Sequence, residues 1–262
     1  MTALSAERIS IAFGGIRALD SVSFNTAQGV VFSIIGPNGA GKTTLFNVIS
    51  GLCPPDAGRV RLLGEDVTTL APEQLAQRGL SRTFQNLQIF SHLTALENVM
   101  VGRHRHERTG FVADLLHLPA VSRQNRITRE AAAKALFRVG LGPVADWPAS
   151  SLAYGDLKRL EIARALASEP AVLLLDEPAA GCNPTETKNI EAMIRGIAGD
   201  GITVVLVEHD MRLVMNISDR IHVLANGHTL AEGTAAEVRT DPAVIEAYLG
   251  VRGAREAASA FG

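Results

Sequence analysis

Residues 36–44, Gly-Pro-Asn-Gly-Ala-Gly-Lys-Thr-Thr, are the most informative segment of this chain for its fold. They match the pattern G-x-x-x-x-G-K-[ST], with Gly36, Gly41, Lys42 and Thr43 at its fixed positions. Glycines in such a loop let successive backbone N–H groups point at phosphate oxygens, and the N-terminus of a following helix adds the positive end of its dipole. The motif therefore predicts a loop that binds a nucleoside triphosphate.

The residues on either side of this loop supply the context that the motif requires. The run 30–35 is mostly apolar and predicts a strand, and the apolar residues at 45–49 are compatible with a helix. In a strand–loop–helix of this kind, Lys42 reaches the β- and γ-phosphates and the Thr43 hydroxyl ligates Mg²⁺. A chance glycine-rich turn would not carry both flanking elements, so we interpret 36–44 as a P-loop.

Composition excludes several classes of protein. The chain has 262 residues and a formal net charge of −2, so no overall basic field indicates nucleic-acid binding. Its longest apolar runs have the length of strands and stay far below the roughly 18 residues that span a bilayer. The N-terminus lacks the pattern of a signal peptide, and Cys53 and Cys182 are far apart and predict free thiols. These observations together predict a cytoplasmic location.

The pattern of apolar residues predicts an α/β core. Short alternating runs within 7–35 and at 59–63 predict strands of a small sheet. The runs 171–175 and 202–207 are almost continuously apolar, as expected for strands covered on both faces. The helix-compatible segment 185–198 lies between them, which predicts a βαβ unit.

The middle and the end of the chain differ from this core. Residues from about 87 to 168 have helical spacing and predict an inserted helical subdomain. Residues of about 242–249 predict a terminal helix with proline in its first turn. The Ala- and Gly-rich residues 251–262 predict a disordered tail.

Five further motifs follow the P-loop in a fixed order. Gln85 lies in Thr-Phe-Gln-Asn, and 152–156, Leu-Ala-Tyr-Gly-Asp, open a predicted helix that ends near residue 167. A strand ends in two carboxylates at 173–178, Leu-Leu-Leu-Asp-Glu-Pro, and 180–184, Ala-Gly-Cys-Asn-Pro, follow at once. His209 ends the next predicted strand.

With these motifs in this order, the chain resembles the ATP-binding subunit of an ABC (ATP-binding cassette) transporter over about residues 4–250. Residues 152–155 with 160–164, and 177–181, are similar to the branch that takes up branched-chain (hydrophobic) amino acids. The segment 104–130 resembles the larger of the two ATPase subunits of that branch. The resemblance implies an α/β fold, a P-loop ABC ATPase core with an antiparallel β subdomain and an inserted helical subdomain.

The resemblance also implies roles for single residues. It makes Gln85 the glutamine that ligates Mg²⁺ and orients a water, and Asp176 the carboxylate that holds Mg²⁺. Glu177 becomes the general base, His209 the switch histidine at the γ-phosphate, and Phe13 the aromatic that stacks on adenine. Phe13 has an alternative reading as a packing residue of the sheet core. The implied nucleotide-binding residues are Phe13, Gly36, Pro37, Asn38, Gly39, Ala40, Gly41, Lys42, Thr43, Thr44, Ala153, Tyr154, Gly155 and Asp156; Thr43, Gln85 and Asp176 are the implied Mg²⁺ ligands.

Residues 153–156 differ from the common signature Leu-Ser-Gly-Gly-Gln, which in the family caps the ATP of a partner cassette. Ala153 lacks the serine hydroxyl, and Asp156 puts a carboxylate where a phosphate is expected. Lys158 and Arg159 follow within one turn, and we expect both to offset this charge. We hypothesise that Asp156 restrains futile hydrolysis by an unloaded transporter.

The resemblance implies partners as well. These are a second ATPase subunit (a homologous heterodimer or a homodimer), two membrane permeases and, indirectly, an extracytoplasmic binding protein, with no nucleic acid. The chain would lie on the inner face of the cell membrane as a peripheral protein, docked through apolar residues beside Gln85: Leu87, Ile89, Phe90 and Leu93. Uptake of urea or amides, and export of lipid or lipopolysaccharide, remain alternatives, whereas the absence of a sustained heptad repeat excludes a DNA-repair ATPase.

Overall fold

The chain forms two β-sheets and a set of helices, which the computed structural model describes over residues 1–83, 87–104 and 119–248, with backbone alone at 119–122. The strands are β1 (Thr2–Phe13), β2 (Ile16–Ala27), β3 (Val31–Ile35), β4 (Ala57–Leu62), β5 (Glu65–Asp66), β6 (Leu80–Arg82), β7 (Val172–Asp176), β8 (Thr203–Val207), β9 (Arg220–Ala225) and β10 (His228–Gly233). The helices are α1 (Lys42–Ile49), α2 (Pro72–Gln77), α3 (Ala95–Val101), α4 (Pro119–Arg138), α5 (Tyr154–Leu166), α6 (Pro184–Gly199), α7 (Met211–Ile217), α8 (Ala235–Thr240) and α9 (242–248).

The larger sheet has the strand order β10-β9-β3-β8-β7-β6 and is parallel except for β10. Every residue of β3, β7 and β8 is buried, as their nearly continuous apolar sequences require. The predicted βαβ unit is therefore present as β7–α6–β8, with the two strands adjacent and parallel. This sheet brings the ends of β3, β7 and β8 to one edge.

The smaller sheet is antiparallel, with the order β2-β1-β4-β5. Its inner face packs on the larger sheet, and the rings of Phe24 and Phe32 stack with their centroids 5.2 Å apart. The strand predicted at 59–63 is present as β4, but it begins two residues earlier. A Cβ on Gly58 would lie 2.4 Å from the Arg8 carbonyl oxygen, so glycine allows β4 to run close beside β1 from Ala57 onward.

The predicted helical segment is present as α3, α4 and α5, which bury Leu96, Val99, Leu136 and Leu160 in one cluster. Within the ranges that the structure describes, no helix is both long enough and apolar enough to cross a membrane. Both cysteines are free, as predicted. The terminal helix is described over 242–248, and the tail at 251–262 lies outside the described residues. The domain limits stay a prediction.

Candidate nucleotide site

The loop between β3 and α1 is held in a shape that only glycine allows at two positions. A Cβ on Gly36 would lie 2.1 Å from the Leu224 carbonyl oxygen, and one on Gly41 would lie 2.7 Å from the Ala18 carbonyl oxygen. Gly41 has φ 101°, in the left-handed region, and α1 begins at the next residue. The first turn of α1 therefore presents its backbone N–H groups beside this loop.

Lys42 folds back onto the loop that precedes it. Its Nζ donates to the carbonyl oxygens of Gly36 at 2.7 Å and Pro37 at 3.0 Å. Burial lowers the pKa of the Lys42 ammonium, and the nearby charge of Glu177 opposes this shift in pKa. Two neutral carbonyl oxygens do not compensate the charge of a buried cation. This ammonium can therefore bind anionic phosphate oxygens.

A cavity of about 580 Å³ opens over the start of α1. It brings residues 38–44 of the P-loop together with Glu177 and His209, which follow β7 and β8. Sequence reasoning missed the other side of this cavity, which β2 and the β9–β10 turn supply. The lining residues are Ile16, Arg17, Ala18, Asn38, Gly39, Ala40, Gly41, Lys42, Thr43, Thr44, Glu177, Val207, His209, Asn226 and Gly227.

Several predicted site residues do not line this cavity. Gly36 and Pro37 lie behind it as acceptors for Lys42, and Gln85 lies outside the described residues. Phe13 ends β1 and pairs with Ile16 across a two-glycine turn, and 51% of its surface is exposed. This exposure contradicts the alternative of a packed core residue. It leaves Phe13 at a hairpin whose next strand lines the cavity.

Glu177 and His209 form the polar pair of the cavity. The Glu177 Oε1 lies 2.5 Å from His209 Nε2, and the carboxylate side chain is 15% exposed while the histidine is 51% exposed. Glu177 has φ 49°, which costs a residue other than glycine of order 1–3 kcal/mol. Its backbone N–H donates to the Val207 carbonyl oxygen at 2.9 Å, which ties this turn to the end of β8.

Asp176 is buried and does not reach the cavity lining. The Nη2 of Arg82 lies 2.9 Å from its Oδ2, and the Nη1 of Arg82 donates to Asn47 Oδ1 at 2.9 Å and to Ser50 Oγ at 2.7 Å. The guanidinium also lies 5.0 Å from the centroid of the Phe46 ring. Arg82 thus joins the end of α1 to the end of β7, a contact that sequence reasoning missed.

Residues 153–156 lie at the start of α5, apart from the cavity of their own chain. Ala153 occupies the N-cap position and makes no side-chain capping bond. The Asp156 carboxylate is ion-paired with Arg159, as predicted. Lys158 lies elsewhere on the helix, since this side chain is buried and its Nζ lies 5.9 Å from the centroid of the Tyr154 ring; its expected offset of the Asp156 charge stays a prediction. The helix turns Lys158 toward the core and leaves Arg159 beside Asp156.

Comparison with known protein families identifies this arrangement. Residues 19–180, more than half of the chain, match the model of the ABC transporter family, and 228–254 match the model of the branched-chain amino acid ATP-binding cassette transporter. The chain belongs to the ATP-binding cassettes of ABC transporters. It is accordingly an ATPase that binds ATP and ADP.

Individual relatives agree with this assignment. The chain is 46% identical to the high-affinity branched-chain amino acid transport ATP-binding protein BraF of Pseudomonas aeruginosa, over 94% of this chain and 97% of the relative. It superposes on the ADP conformation of the ABC transporter cassette MJ1267 with a TM-score of 0.84 and 36% identity, over 95% of this chain and 99% of that one. It also superposes on a dimeric, post-hydrolysis structure of the cassette MJ0796 bound to ADP and Pi. The TM-score is 0.72 and the identity 27%, over 88% of this chain and 98% of that one.

Proposed function

We propose that this chain hydrolyses ATP to power the import of branched-chain amino acids by a membrane transporter. The observation that carries the proposal is the meeting of Lys42, Glu177 and His209 at one cavity, in a chain 46% identical to a branched-chain amino acid transport protein. The P-loop N–H groups and the Lys42 ammonium bind the phosphates. Phe13, at the nearby hairpin, stacks on the adenine ring.

Hydrolysis requires a base and a group that holds the γ-phosphate. The Glu177 carboxylate accepts a proton from the attacking water, and a positioned base of this kind typically contributes ~10²–10⁴-fold to the rate. His209 Nε2, 2.5 Å from that carboxylate, orients it and contacts the γ-phosphate. The Glu177 side chain is 15% exposed and lines the cavity.

The residues present also fit Mg²⁺. This ion prefers oxygen ligands and usually combines one or two carboxylates with substrate phosphates. The Thr43 hydroxyl and Asp176 supply oxygens of this kind, and the resemblance adds Gln85. Bound Mg²⁺ would neutralise charge on the phosphates. Arg82 Nη2 lies 2.9 Å from Asp176 Oδ2 and fixes this carboxylate at the end of β7, where it would be a ligand for the ion.

The position of residues 153–156 supports a second cassette as a partner. They lie outside the cavity of their own chain, which fits the role of capping the ATP of a second cassette, in a heterodimer or a homodimer. Two permeases and an extracytoplasmic binding protein complete the transporter, with this chain as a peripheral subunit on the cytoplasmic face. Leu87, Ile89, Phe90 and Leu93 form the docking surface for the permeases.

Purification of the membrane complex through a tag on this chain tests this function. We expect two integral membrane chains and a second, smaller ATPase to co-purify, as identified by mass spectrometry. Leucine presented on the matching binding protein should stimulate ATP hydrolysis by the reconstituted complex, and urea should not. Co-purification with soluble partners alone, or stimulation by urea alone, would overturn the proposal.

Replacing Phe13 with alanine should weaken the binding of ATP and GTP alike. Loss of a base–aromatic stack costs roughly 1–3 kcal/mol, which corresponds to about five- to 150-fold in Kd. Phe13→Tyr keeps the ring and should bind nearly as the wild type does. Calorimetric titration of each variant measures the affinity. Unchanged affinity for both nucleotides in Phe13→Ala would refute the stacking role.

Substitutions at the two partners of the Asp156–Arg159 ion pair should have opposite effects on the ATP-driven pairing of cassettes. Asp156→Gln leaves Arg159 unpaired beside the phosphate of the partner cassette and should tighten ATP-driven pairing and raise the basal ATPase rate. Arg159→Gln leaves the carboxylate unpaired and should weaken pairing. Each charge at a helix N-terminus contributes about 0.3–1 kcal/mol, or roughly two- to fivefold.

Sedimentation of the ATP-bound dimer in the Glu177→Gln background measures these affinities. The double variant Asp156→Gln/Arg159→Gln is the matched control and should pair like the wild type. If the dimer affinities of both single variants change in the same direction, the ion pair acts on helix stability alone. The hypothesis that Asp156 restrains futile hydrolysis should then be dropped.

A further inference from the structure

Glu208 is a buried carboxylate that the reaction described above does not use. It directly follows β8 and precedes His209, and only 4% of its surface is exposed. Ionised carboxylates are rarely buried in this way unless they are paired or hydrogen-bonded, because burial removes the water that stabilises their charge. A carboxylate buried at this place therefore needs hydrogen-bond donors for its oxygens.

The two carboxylate oxygens of Glu208 bind two different turns. Oε1 accepts a hydrogen bond at 3.0 Å from the backbone N–H of Ala179, in the turn after β7. Oε2 accepts from the backbone N–H of His209 at 2.9 Å and of Asp210 at 3.3 Å, in the turn after β8. Hydrogen bonds from N–H groups to an ionised carboxylate are among the stronger ones in proteins.

These two turns carry the polar pair of the nucleotide cavity. The turn after β7 begins with Glu177, and the turn after β8 holds His209, whose Nε2 lies 2.5 Å from Glu177 Oε1. Asp210 then caps α7, with its Oδ1 accepting from the Arg212 backbone N–H at 2.8 Å. The His209 turn is thus fixed on one side to α7 and on the other, through Glu208, to the Glu177 turn.

We infer that Glu208 is a positioning residue that locks the His209 turn to the Glu177 turn and so sets the placement of His209 against Glu177 and the γ-phosphate. Glu208 is buried and does not line the nucleotide cavity. Its two carboxylate oxygens accept hydrogen bonds from the two turns and so join them. This inference rests on the proposed ATPase function and assigns a residue outside the set that the sequence motifs mark.

Glutamine cannot replace Glu208 in this role. Its side-chain amide has one acceptor oxygen, and its NH₂ group would face the remaining backbone N–H donor. Glu208→Gln therefore keeps the size of the side chain but breaks the link to one turn. Aspartate keeps both oxygens and the charge, but it is shorter by one methylene and does not span both turns.

The test uses the assembled transporter, purified through a tag on this chain, and compares steady-state ATP hydrolysis of the wild type, Glu208→Gln and Glu208→Asp. We expect kcat to fall about ten- to hundredfold in both variants, the range that a misplacement of about 1 Å can produce, with KM for ATP changed less than threefold. Melting temperature is measured on the same samples, and rates are taken well below it, so that loss of fold and loss of placement are separated.

A double-variant comparison with His209→Ala separates positioning from general destabilisation. If Glu208 acts by placing His209, Glu208→Gln should lower kcat less than threefold further once His209 is alanine. The inference is overturned if the two effects multiply, or if a folded Glu208→Gln or Glu208→Asp variant keeps more than half of the wild-type kcat. A wild-type complex that does not hydrolyse ATP would instead refute the proposed function.

Discussion

Glu177→Gln should reduce steady-state ATP hydrolysis at least tenfold and leave ATP binding intact. The change removes the proposed base, which typically contributes ~10²–10⁴-fold, while it keeps the size of the side chain and leaves Asp176 and Arg82 in place. The amide can still donate to or accept from His209, so the cavity should keep its shape. Bound but unhydrolysed ATP should then stabilise the pair of cassettes.

Phosphate release and size-exclusion chromatography with ATP measure the two outcomes. Glu130→Gln is the matched control, because it makes the same chemical change at an exposed position on α4 and should hydrolyse ATP at the wild-type rate. More than a tenth of wild-type activity in Glu177→Gln would refute the assignment of Glu177 as the base. Loss of ATP binding would show instead that the change damages the cavity.

Lys42→Met should abolish most ATP affinity and leave the free subunit stable. The ammonium is buried against two backbone carbonyls, and burial lowers its pKa, so its charge is a cost to the folded chain. Methionine fills the same space without that charge. Charge-assisted hydrogen bonds contribute about 1.5–3 kcal/mol each, so the loss of the phosphate contacts should weaken ATP binding at least tenfold.

Calorimetric titration with ATP and Mg²⁺, together with thermal unfolding of the free chain, checks both parts of this expectation. Lys134→Met changes an exposed lysine of α4 and serves as the control for the loss of one positive charge. Wild-type affinity in Lys42→Met would refute the role of this ammonium. A melting temperature lowered by many degrees would show that its two carbonyl contacts stabilise the loop more than burial destabilises it.

The sequence predicted those helices, strands and turns whose sequence patterns are contained in one continuous segment. The apolar runs of β7 and β8 indicated strands covered on both faces, and the P-loop motif indicated the strand, turn and helix around it. Residues 38–44, Glu177 and His209 meet at the cavity because parallel strands bring their C-terminal ends to the same edge of the sheet. That step follows from the fold once the strand assignments are made.

Contacts between segments that are far apart in the sequence could not be predicted from local sequence patterns. The three-residue strand β6 is too short for a periodic signal, yet it carries Arg82 to Asp176 across 94 positions of sequence. No role was predicted for Glu208 from the sequence, because the backbone N–H of Ala179 that it binds belongs to another turn. The direction of Lys158 likewise depends on how α5 packs in the assembled core.

One turn that lines the cavity could have been predicted from sequence, although its place beside the P-loop could not. Asn226-Gly227 is a common two-residue hairpin turn, with φ 51° and 80°, and it joins β9 to β10. The backbone N–H of Gly227 donates to the Ala40 carbonyl oxygen at 3.1 Å, which holds this turn against the P-loop. The hairpin signal predicts the turn, but its contact with the P-loop depends on the order of strands in the sheet.

Uptake of radiolabelled leucine, isoleucine and valine by cells of the source organism tests whether this chain powers the import of branched-chain amino acids. The gene for this chain is deleted, and the cells receive either the wild-type chain, Glu177→Gln or Glu130→Gln. Deletion should lower uptake of all three amino acids at low external concentration, wild type and Glu130→Gln should restore it, and Glu177→Gln should not. Unchanged uptake of the three amino acids after deletion, with a loss of urea uptake, would contradict a role in branched-chain amino acid import.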